Sequence, residues 1–552
     1  MAHRSRAATV AAGILSSRML GFVRERAVAH YLGVTGFTDA LTTAFRGPNL
    51  LQVLLGEQTL SAAFIPVYSQ LLEEGRKEEA GRFAGAVFGL LLAAAATLSL
   101  AGVLLARPLV AILAAGYLKD AAAVAAGEAT VDRYELAVLA VRWVFPMMAF
   151  LVLSAWALGV LNSHRRFFWP YFSPVLWNAS IIAALVLAAG GLGAPWCDPE
   201  AADHGFQVCL LIAACIGALV GGILQFAVQL PLVFRLMKGF RFSFSTRVVG
   251  VRRALAAFGP AVAGRGVVQL SLYLDQFLAS LAAVGAVSAI RWGSFLYALP
   301  ISLFGMSIAA SELPAMSRLE RGGGELPRRV EVSLRRMAFL VLPSAVGYVF
   351  LGFLLVGAIY RTGEFTLEDN WLIYLVLAAY SLGLPASTAS RLLQNLFFAL
   401  GDTRTPARIA AQRVVLSGGL GAFLMFWLDA YAVGELVPLE GPVRGLFLGA
   451  VGLALGSAAG SWLEILRLRQ ALSKPVPEFR LPVRALLPML GLAFGSLVPA
   501  CLLWKFLPSL PVVATALLVV GTFAAAYLLL SVALGLPEAK EWLEGLRRRL
   551  RR

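Results

Sequence analysis

Apolar runs of twenty residues or more dominate the chain, separated by short polar connections. Fourteen such runs are found, at 7–32, 40–70, 83–113, 135–161, 170–191, 206–234, 254–282, 286–313, 335–359, 371–400, 407–428, 445–466, 484–506 and 512–535. A helix that crosses a bilayer needs about 20 mostly apolar residues, and each run meets that length. Several contain Gly or Pro, which membrane helices tolerate when neighbouring groups re-satisfy the backbone. The connections leave no room for a soluble domain. The pattern predicts an all-α polytopic membrane protein with 14 transmembrane helices.

Composition agrees: 59% of the 552 residues are hydrophobic, 14% are charged, and the mean hydropathy is +0.79. Soluble domains carry about 25% charged residues. The net charge of +16 would suggest nucleic acid if it lay on one surface, but it alternates. With the N-terminus taken as cytoplasmic, 33 Lys and Arg fall in connections on that side or in the two termini, and six fall outside: Arg107, Lys119, Arg133, Arg361, Arg444 and Lys505. This is the positive-inside bias. It predicts a multi-pass membrane protein with both termini cytoplasmic, and a basic tail (536–552) able to touch anionic lipid. The first run is too long for a cleaved signal peptide and reads as a retained helix.

The chain repeats itself weakly. Ile65-Pro66-Val67-Tyr68-Ser69 through Gly75 resembles Leu313-Pro314-Ala315-Met316-Ser317 through Gly323, an offset of 248 residues. Pro48 has a counterpart in Pro300. An even number of helices between copies makes the halves parallel, and transporters built this way bind substrate between their repeats. The expected division is an N-lobe of six helices (1–237), a C-lobe of six (238–473), two further helices (474–535) and the tail (536–552).

Charges inside apolar runs mark functional positions, because each costs at least ~2.5–3.5 kcal/mol near the bilayer centre. The first run holds Ser17, Arg18, Arg24, Glu25 and Arg26. Ser17, Gly21 and Arg24 share a face, and Arg18 and Arg24 stand about 9 Å apart along the axis. Two guanidiniums at different depths suit a pyrophosphate. The spacing equally admits a locking ion pair, Arg18 with Glu25 or Arg24 with Asp39. In the second run Pro48 removes a backbone donor and predicts a kink, Asn49 is placed to cap the freed carbonyls, and Arg46, Gln52 and Glu57 are candidates to line the same space. Asp275 and Arg291 are candidates for a pair across a hairpin, with Arg291 also a candidate anion ligand. Arg142 and Glu464 lie nearer run ends and are expected to reach for the interface.

Enzyme signatures are lacking. The four histidines have no metal-ligand spacing, and no phosphate loop is present. No metal or cofactor is expected beyond an unidentified coupling ion. Cys197 lies in an outer connection and Cys209 starts the next helix, and the spacing leaves open whether they pair; Cys215 and Cys501 read as packing residues.

The segments Ser17-Arg18-Met19-Leu20-Gly21-Phe22-Val23-Arg24, Asp39-Ala40, Phe45-Arg46-Gly47-Pro48-Asn49-Leu50-Leu51, Glu57 and Ser61-Ala62-Ala63-Phe64-Ile65-Pro66-Val67 resemble the N-terminal signature of the MurJ (MviN) lipid II flippases. These belong to the multidrug/oligosaccharidyl-lipid/polysaccharide exporter superfamily. Gly159-Val160-Leu161-Asn162-Ser163-His164 and Ala399-Leu400-Gly401-Asp402-Thr403-Arg404-Thr405-Pro406 also fit. The resemblance implies two six-helix lobes in a V around a cationic cavity, with helices thirteen and fourteen forming a groove for a polyprenyl tail. It implies that Ser17, Arg18, Arg24 and Asn162 face substrate, and that Asp39 and Glu57 are the family's acidic positions. Two positions depart from the pattern. The family commonly has Arg where Gln52 stands, and again where Phe295 stands, with Arg291 one turn earlier.

The function so implied is transport of the undecaprenyl-pyrophosphate-linked peptidoglycan precursor between leaflets by alternating access. A flippase for another polyprenyl-linked glycan and a cation-coupled drug exporter are the alternatives within transport; a drug exporter needs an acidic cavity. A membrane-embedded glycosyltransferase is the alternative of another class, and it needs an outward carboxylate such as Asp198, Glu200 or Asp203. The expected partners are the lipid-linked precursor, membrane lipids and cell-wall synthases, without nucleic acid.

Overall fold

In hydrocarbon every backbone N–H and C=O needs an internal partner, so spanning segments become helices or closed barrels. The computed structural model is helical throughout its described residues, with one isolated bridge between Ala432 and Phe447. The structure describes all residues except 1, 128, 191–196, 198–203, 307, 310–311, 313–315, 317–324, 438–442, 508–509 and 551–552, and side chains except also those of 2–11, 58, 261, 263–272 and 545–550. Apart from Met316 and Glu312, the second copy of the repeat and the residues just before it fall outside this set, as do Asp198, Glu200 and Asp203 and the side chains of Arg265 and Gln269.

Among the described residues, eleven helices are long and apolar enough to cross a membrane, or thirteen if two bent pairs each count as one span. One bent pair is Leu367–Leu382 with Leu384–Ala399, turned by 43°, which falls on the predicted run 371–400. The first and seventh predicted runs form helices of 31 residues each but are not among the eleven.

The chain groups into two compact units, Met1–Ser288 with Thr362–Phe365, and Ala289–Arg361 with Thr366–Arg552. Unit 1 contains α1 (Ala2–Leu32), α2 (Gly36–Leu55), α3 (Glu57–Ala63), α4 (Ile65–Glu73), α5 (Lys77–Leu104), α6 (Ala106–Leu113), α7 (Asp120–Ala125), α8 (Arg133–Ser163), α9 (Phe168–Phe172), α10 (Pro174–Ala189), α11 (Gly205–Ala227), α12 (Leu230–Leu236) and α13 (Val251–Leu281). Its hub is α8, which packs against α2, α5 and α11 and buries Trp156, whose indole N–H donates to the Ala84 carbonyl at 3.1 Å. After α12 the chain runs extended along α5. A Cβ at Gly81, Gly85 or Gly89 would collide with the carbonyls of Lys238, Arg241 or Ser243 respectively. Glycines four apart make one smooth stripe on a helix, and that stripe seats the segment.

Helix α2 runs through Pro48 to Leu55, and the break is at Gly56. The Thr59 hydroxyl, not Asn49, closes the break by donating to the Leu54 carbonyl at 2.7 Å. Cys197 and Cys209 are joined by a disulfide, with Cα atoms 5.5 Å apart.

Helix α14 (Ala286–Pro300) begins at the boundary. Unit 2 continues with α15 (Glu325–Tyr360), α16 (Leu367–Leu382), α17 (Leu384–Ala399), α18 (Arg404–Leu428), α19 (Val433–Leu436), α20 (Gly449–Leu472), α21 (Val483–Phe506), α22 (Val512–Ala533) and α23 (Pro537–Leu550). Its closest helix pair is α18 with α20, where Gly456 meets Gly421 backbone to backbone. Glu464 does not reach for the interface. It is 1% exposed, accepting from Arg413 at 2.8 Å and from Gln394 at 2.7 Å. Arg413, which the charge pattern assigns to a connection, is therefore the partner of a buried carboxylate within α18. Glu368 is buried and accepts the backbone N–H groups of Arg444 and Leu446, while Asp369 closes the capping box of α16 with Thr366. Both acids are committed to loop and helix ends. An apolar groove of about 330 Å³ lies between α15 and α22, with Pro343, Gly347 and Leu351 on one wall and Phe523 and Tyr527 on the other.

Candidate functional site

The charged turn of α1 opens onto a cavity of about 570 Å³ within unit 1. Ser17, Gly21 and Arg24, which share a helical face, form one wall, and Arg18 lines the cavity beside them. Asn49, Gln52 and Glu57, from either side of the Gly56 break, form another. Leu158 of α8, Pro170 and Tyr171 of α9, Trp177 and Asn178 of α10, and Gln225 of α11 complete it.

The two arginines differ in how they are held. Arg24 is fixed from three directions. Its Nη1 donates to Asn178 Oδ1 at 3.0 Å, its Nη2 pairs with Glu25, and its guanidinium carbon sits 4.7 Å from the centre of the Trp177 ring, a cation–π distance. Asn178 is oriented in turn, its amide nitrogen donating to the carbonyls of Pro174 at 3.0 Å and Ser17 at 3.4 Å. The Arg24 Nε is buried without a hydrogen-bond partner among the described residues. Arg18 has no hydrogen bond or ion pair among the described residues, and its side chain is exposed in the cavity wall. One guanidinium is thus positioned and partly neutralised, and the other keeps its whole charge for a ligand. Neither locking pair that the spacing admits is formed, since Glu25 serves Arg24 and Asp39 lies elsewhere.

Asp39 is completely buried at the start of α2. It accepts the backbone N–H groups of Gly285 at 2.7 Å and Ser288 at 2.9 Å, and the Ser288 hydroxyl at 2.8 Å. A carboxylate against the first N–H groups of a helix satisfies donors that have no partner within it. The Arg133 guanidinium stands 3.6 Å from the same carboxylate, holds Asp120 at 2.6 and 3.0 Å, and lies 4.5 Å from the centre of the Tyr117 ring. Arg133, assigned by the charge pattern to an outer connection, is instead 2% exposed. Tyr117 continues the cluster to Thr43 at 3.2 Å, which Gln276 of α13 also reaches at 3.2 Å.

The remaining predicted residues are distributed as follows. Pro48 is buried in α2, and its neighbour Asn49 lines the cavity. Arg46 is half-buried, is not among the cavity's lining residues, and accepts the Tyr273 hydroxyl on its carbonyl at 2.8 Å. Asn162 lies one turn beyond Leu158 on α8 and lines a different hollow. Asp275 is half-buried on α13, and Arg291 is half-buried in the first turns of α14 within unit 2. Trp177, Asn178 and Gln225 of the cavity, and Arg133, Asp120 and Tyr117 of the buried cluster, were not anticipated from the sequence. The only signal for Asn178 and Gln225 is an amide inside an otherwise apolar run. Among the described residues no three His, Cys, Asp or Glu side chains converge as metal ligands do.

Comparison with known proteins agrees with this architecture. The family model described as "Lipid II flippase MurJ" matches residues 28–435. A lipid II flippase MurJ of Burkholderia cenocepacia is 31% identical over 472 residues, covering 84% of this chain and 83% of the relative. A probable lipid II flippase MurJ of Aquifex aeolicus is 27% identical over 419 residues, covering 76% of each. A solved structure of the lipid II flippase MurJ in an inward closed conformation superposes with a TM-score of 0.69 at 22% identity, over 95% of this chain and 98% of that one. An inward-facing multidrug resistance MATE family transporter of the MOP superfamily gives 0.60 at 15% identity, over 83% and 95%. These structural likenesses establish a shared helical fold. The family match and the identity to relatives along most of the chain establish that it belongs to the MurJ lipid II flippase family.

Proposed function

We propose that the protein is a flippase that carries lipid II, the undecaprenyl-pyrophosphate-linked peptidoglycan precursor, from the inner to the outer leaflet of a bacterial cytoplasmic membrane by alternating access. It is a transporter rather than an enzyme. The single observation that best supports this is the pair of guanidiniums lining one cavity, Arg18 without a partner among the described residues and Arg24 held by Asn178. A diphosphate crossing hydrocarbon without compensation would lose its hydration for nothing. Two forked donors at different depths on one helix replace that hydration. Gln52, Asn49 and Glu57 then offer hydrogen bonds to the sugar and peptide of the headgroup.

In this mechanism helices one to six (1–237) and seven to twelve (238–473) form parallel lobes, α1 and α13 also cross, and the count is fourteen. Both termini are cytoplasmic. The Cys197–Cys209 bridge supports this orientation, since such bonds persist on the oxidising side of a membrane. Arg46, Asn162 and Arg291 assist the substrate as it moves. Asp39 acts at a gate, with Glu25, Glu57, Pro48, Asn49 and Asp275 shaping the transition. The groove walled by Pro343 and Phe523 takes the polyprenyl tail. An ion gradient or the membrane potential drives the cycle, without a cofactor. Neighbouring lipids and cell-wall synthases are the partners.

A second reading, a flippase for another polyprenyl-pyrophosphate glycan, draws on Gln52, a neutral group in the cavity wall. One experiment separates the two. Purified protein is placed in liposomes with labelled lipid II, and the label reaching the opposite leaflet is followed. Transport that fails for Arg18→Ala is expected. Movement of a different polyprenyl-pyrophosphate glycan with none of lipid II would replace the first reading by the second. A protein that moves neither is no flippase of this kind.

A further inference from the structure

A second hollow in unit 1, of about 590 Å³, shares only Asn162 with the residues assigned to this function. It lies where α4, α5, α8 and α12 end or begin. Three cations, Lys77, Arg165 and Lys238, line it, with one carboxylate, Glu73. Among the described residues none of these four forms an ion pair. The residue just before Lys77 shows what a spent cation looks like here. Arg76 is paired twice, with Glu74 at 2.8 Å and Glu79 at 2.6 Å.

Bland accounts exist for basic residues at helix ends: they set membrane orientation, and near a C-terminus they complement the helix dipole. Three features here go beyond those accounts. First, the charges come from three separate chain segments and face one space. Lys238 is carried there by the extended segment whose carbonyl lies against Gly81, one turn after Lys77 on α5. Second, Arg165 occupies the left-handed position of a Schellman turn, with φ 59°, the Arg166 N–H bonded to the Leu161 carbonyl and the Arg165 N–H to that of Asn162. Glycine is the usual residue there because a side chain is strained, so the guanidinium is present despite a backbone cost. Third, the Asn162 Oδ1 is buried in the wall of the hollow without a hydrogen-bond partner among the described residues. A buried acceptor left unmade costs about 1–3 kcal/mol. Beside it Tyr68 and His164 bond to each other at 3.1 Å and close the wall.

We propose that this hollow is a second anion site, which takes a phosphate-bearing headgroup that also carries a hydroxyl or ammonium donor. The phosphate meets Lys77, Arg165 and Lys238, and the donor meets Asn162 Oδ1 and Glu73. The leucine and isoleucine in the lining, Leu72, Leu236 and Ile65, suit the start of an acyl or prenyl chain. Asn162 stands one helical turn, about 6 Å along the α8 axis, from Leu158 of the α1 cavity. The site is therefore positioned to hold an anionic lipid beside that cavity. The inference does not depend on lipid II being the transported lipid.

The test uses the full chain in detergent and short-chain phosphatidylglycerol as probe, with binding measured by native mass spectrometry. Lys77→Gln with Lys238→Gln is expected to weaken binding about tenfold. Asn162→Leu, which changes no charge, is expected to weaken it about threefold. Arg467→Gln with Arg469→Gln, exposed cations elsewhere, is expected to leave it unchanged. Inorganic phosphate is then added as competitor. Displacement shows that the free anion suffices for the site, and persistence of the lipid shows that its chain is required; either result sustains an anion site. Equal binding in the Lys77/Lys238 variant, or an equal loss in the Arg467/Arg469 variant, overturns the proposal.

Discussion

The amide of Asn178 joins two helices through Arg24: its oxygen accepts from the guanidinium at 3.0 Å while its nitrogen donates to the carbonyls of Ser17 and Pro174. Hydrogen bonds to a charged group contribute about 1.5–3 kcal/mol. Asn178→Ala should release Arg24 into several rotamers and slow lipid II transport about tenfold, with the protein still present in the membrane. Transport in liposomes measures the first and quantitative blotting the second.

Arg18 and Arg24 should separate when stability and transport are measured side by side. Arg18 has no protein partner among the described residues, so Arg18→Ala should shift thermal stability by less than about 0.5 kcal/mol while impairing transport. Arg24→Ala removes the guanidinium paired with Glu25, a residue 2% exposed. Breaking a buried pair costs about 3–5 kcal/mol, so this variant should melt earlier. Adding Glu25→Gln should restore part of the melting temperature but none of the transport.

Asp39 and Ser288 should be energetically coupled. Among the described residues, two of the four polar contacts that Asp39 makes come from Ser288, one from its N–H and one from its hydroxyl. In a double-mutant cycle of Asp39→Asn and Ser288→Ala, residues sharing one network typically couple by about 0.5–3 kcal/mol. Strict additivity of the two melting shifts would contradict the arrangement.

The cysteines should label in a fixed order. Cys501 is exposed, Cys215 is buried, and Cys197 and Cys209 are bonded to each other. A membrane-permeant maleimide should react with one thiol in the folded protein, two after denaturation, and four after denaturation with reductant. Mass spectrometry counts the adducts.

His164 should make the fold sensitive to mild acid. Burial, and then the charge of Lys77, push its pKa below the ordinary 6.5. The unfolded chain therefore binds the proton more readily than the folded one, and stability rises with pH across this range. Its contribution is complete above pH ~6.5 and declines as pH falls below that value. Melting temperature should drop on acidification from neutral, and His164→Gln should flatten that slope. Bound phosphatidylglycerol should flatten it too, by favouring the charged ring.

Much of this protein can be read along the chain. The need of each backbone group for a partner in hydrocarbon makes long apolar runs helical, and helical period alone puts Ser17, Gly21 and Arg24 on one face. Tertiary packing decided what those faces meet. Arg24 chose Asn178, 154 residues away, and the adjacent Glu25 rather than Asp39. Asp39 went to the start of a helix 249 positions on. Arg413 and Glu464 look like a connection charge and an interface charge in sequence, yet neutralise each other inside unit 2. Asn162 shares α8 with the wall of the α1 cavity but lines the neighbouring hollow. Periodicity is a local property of backbone geometry and survives in one dimension. The pairing of a buried charge depends on which groups packing brings within about 4 Å, and only the folded chain determines that.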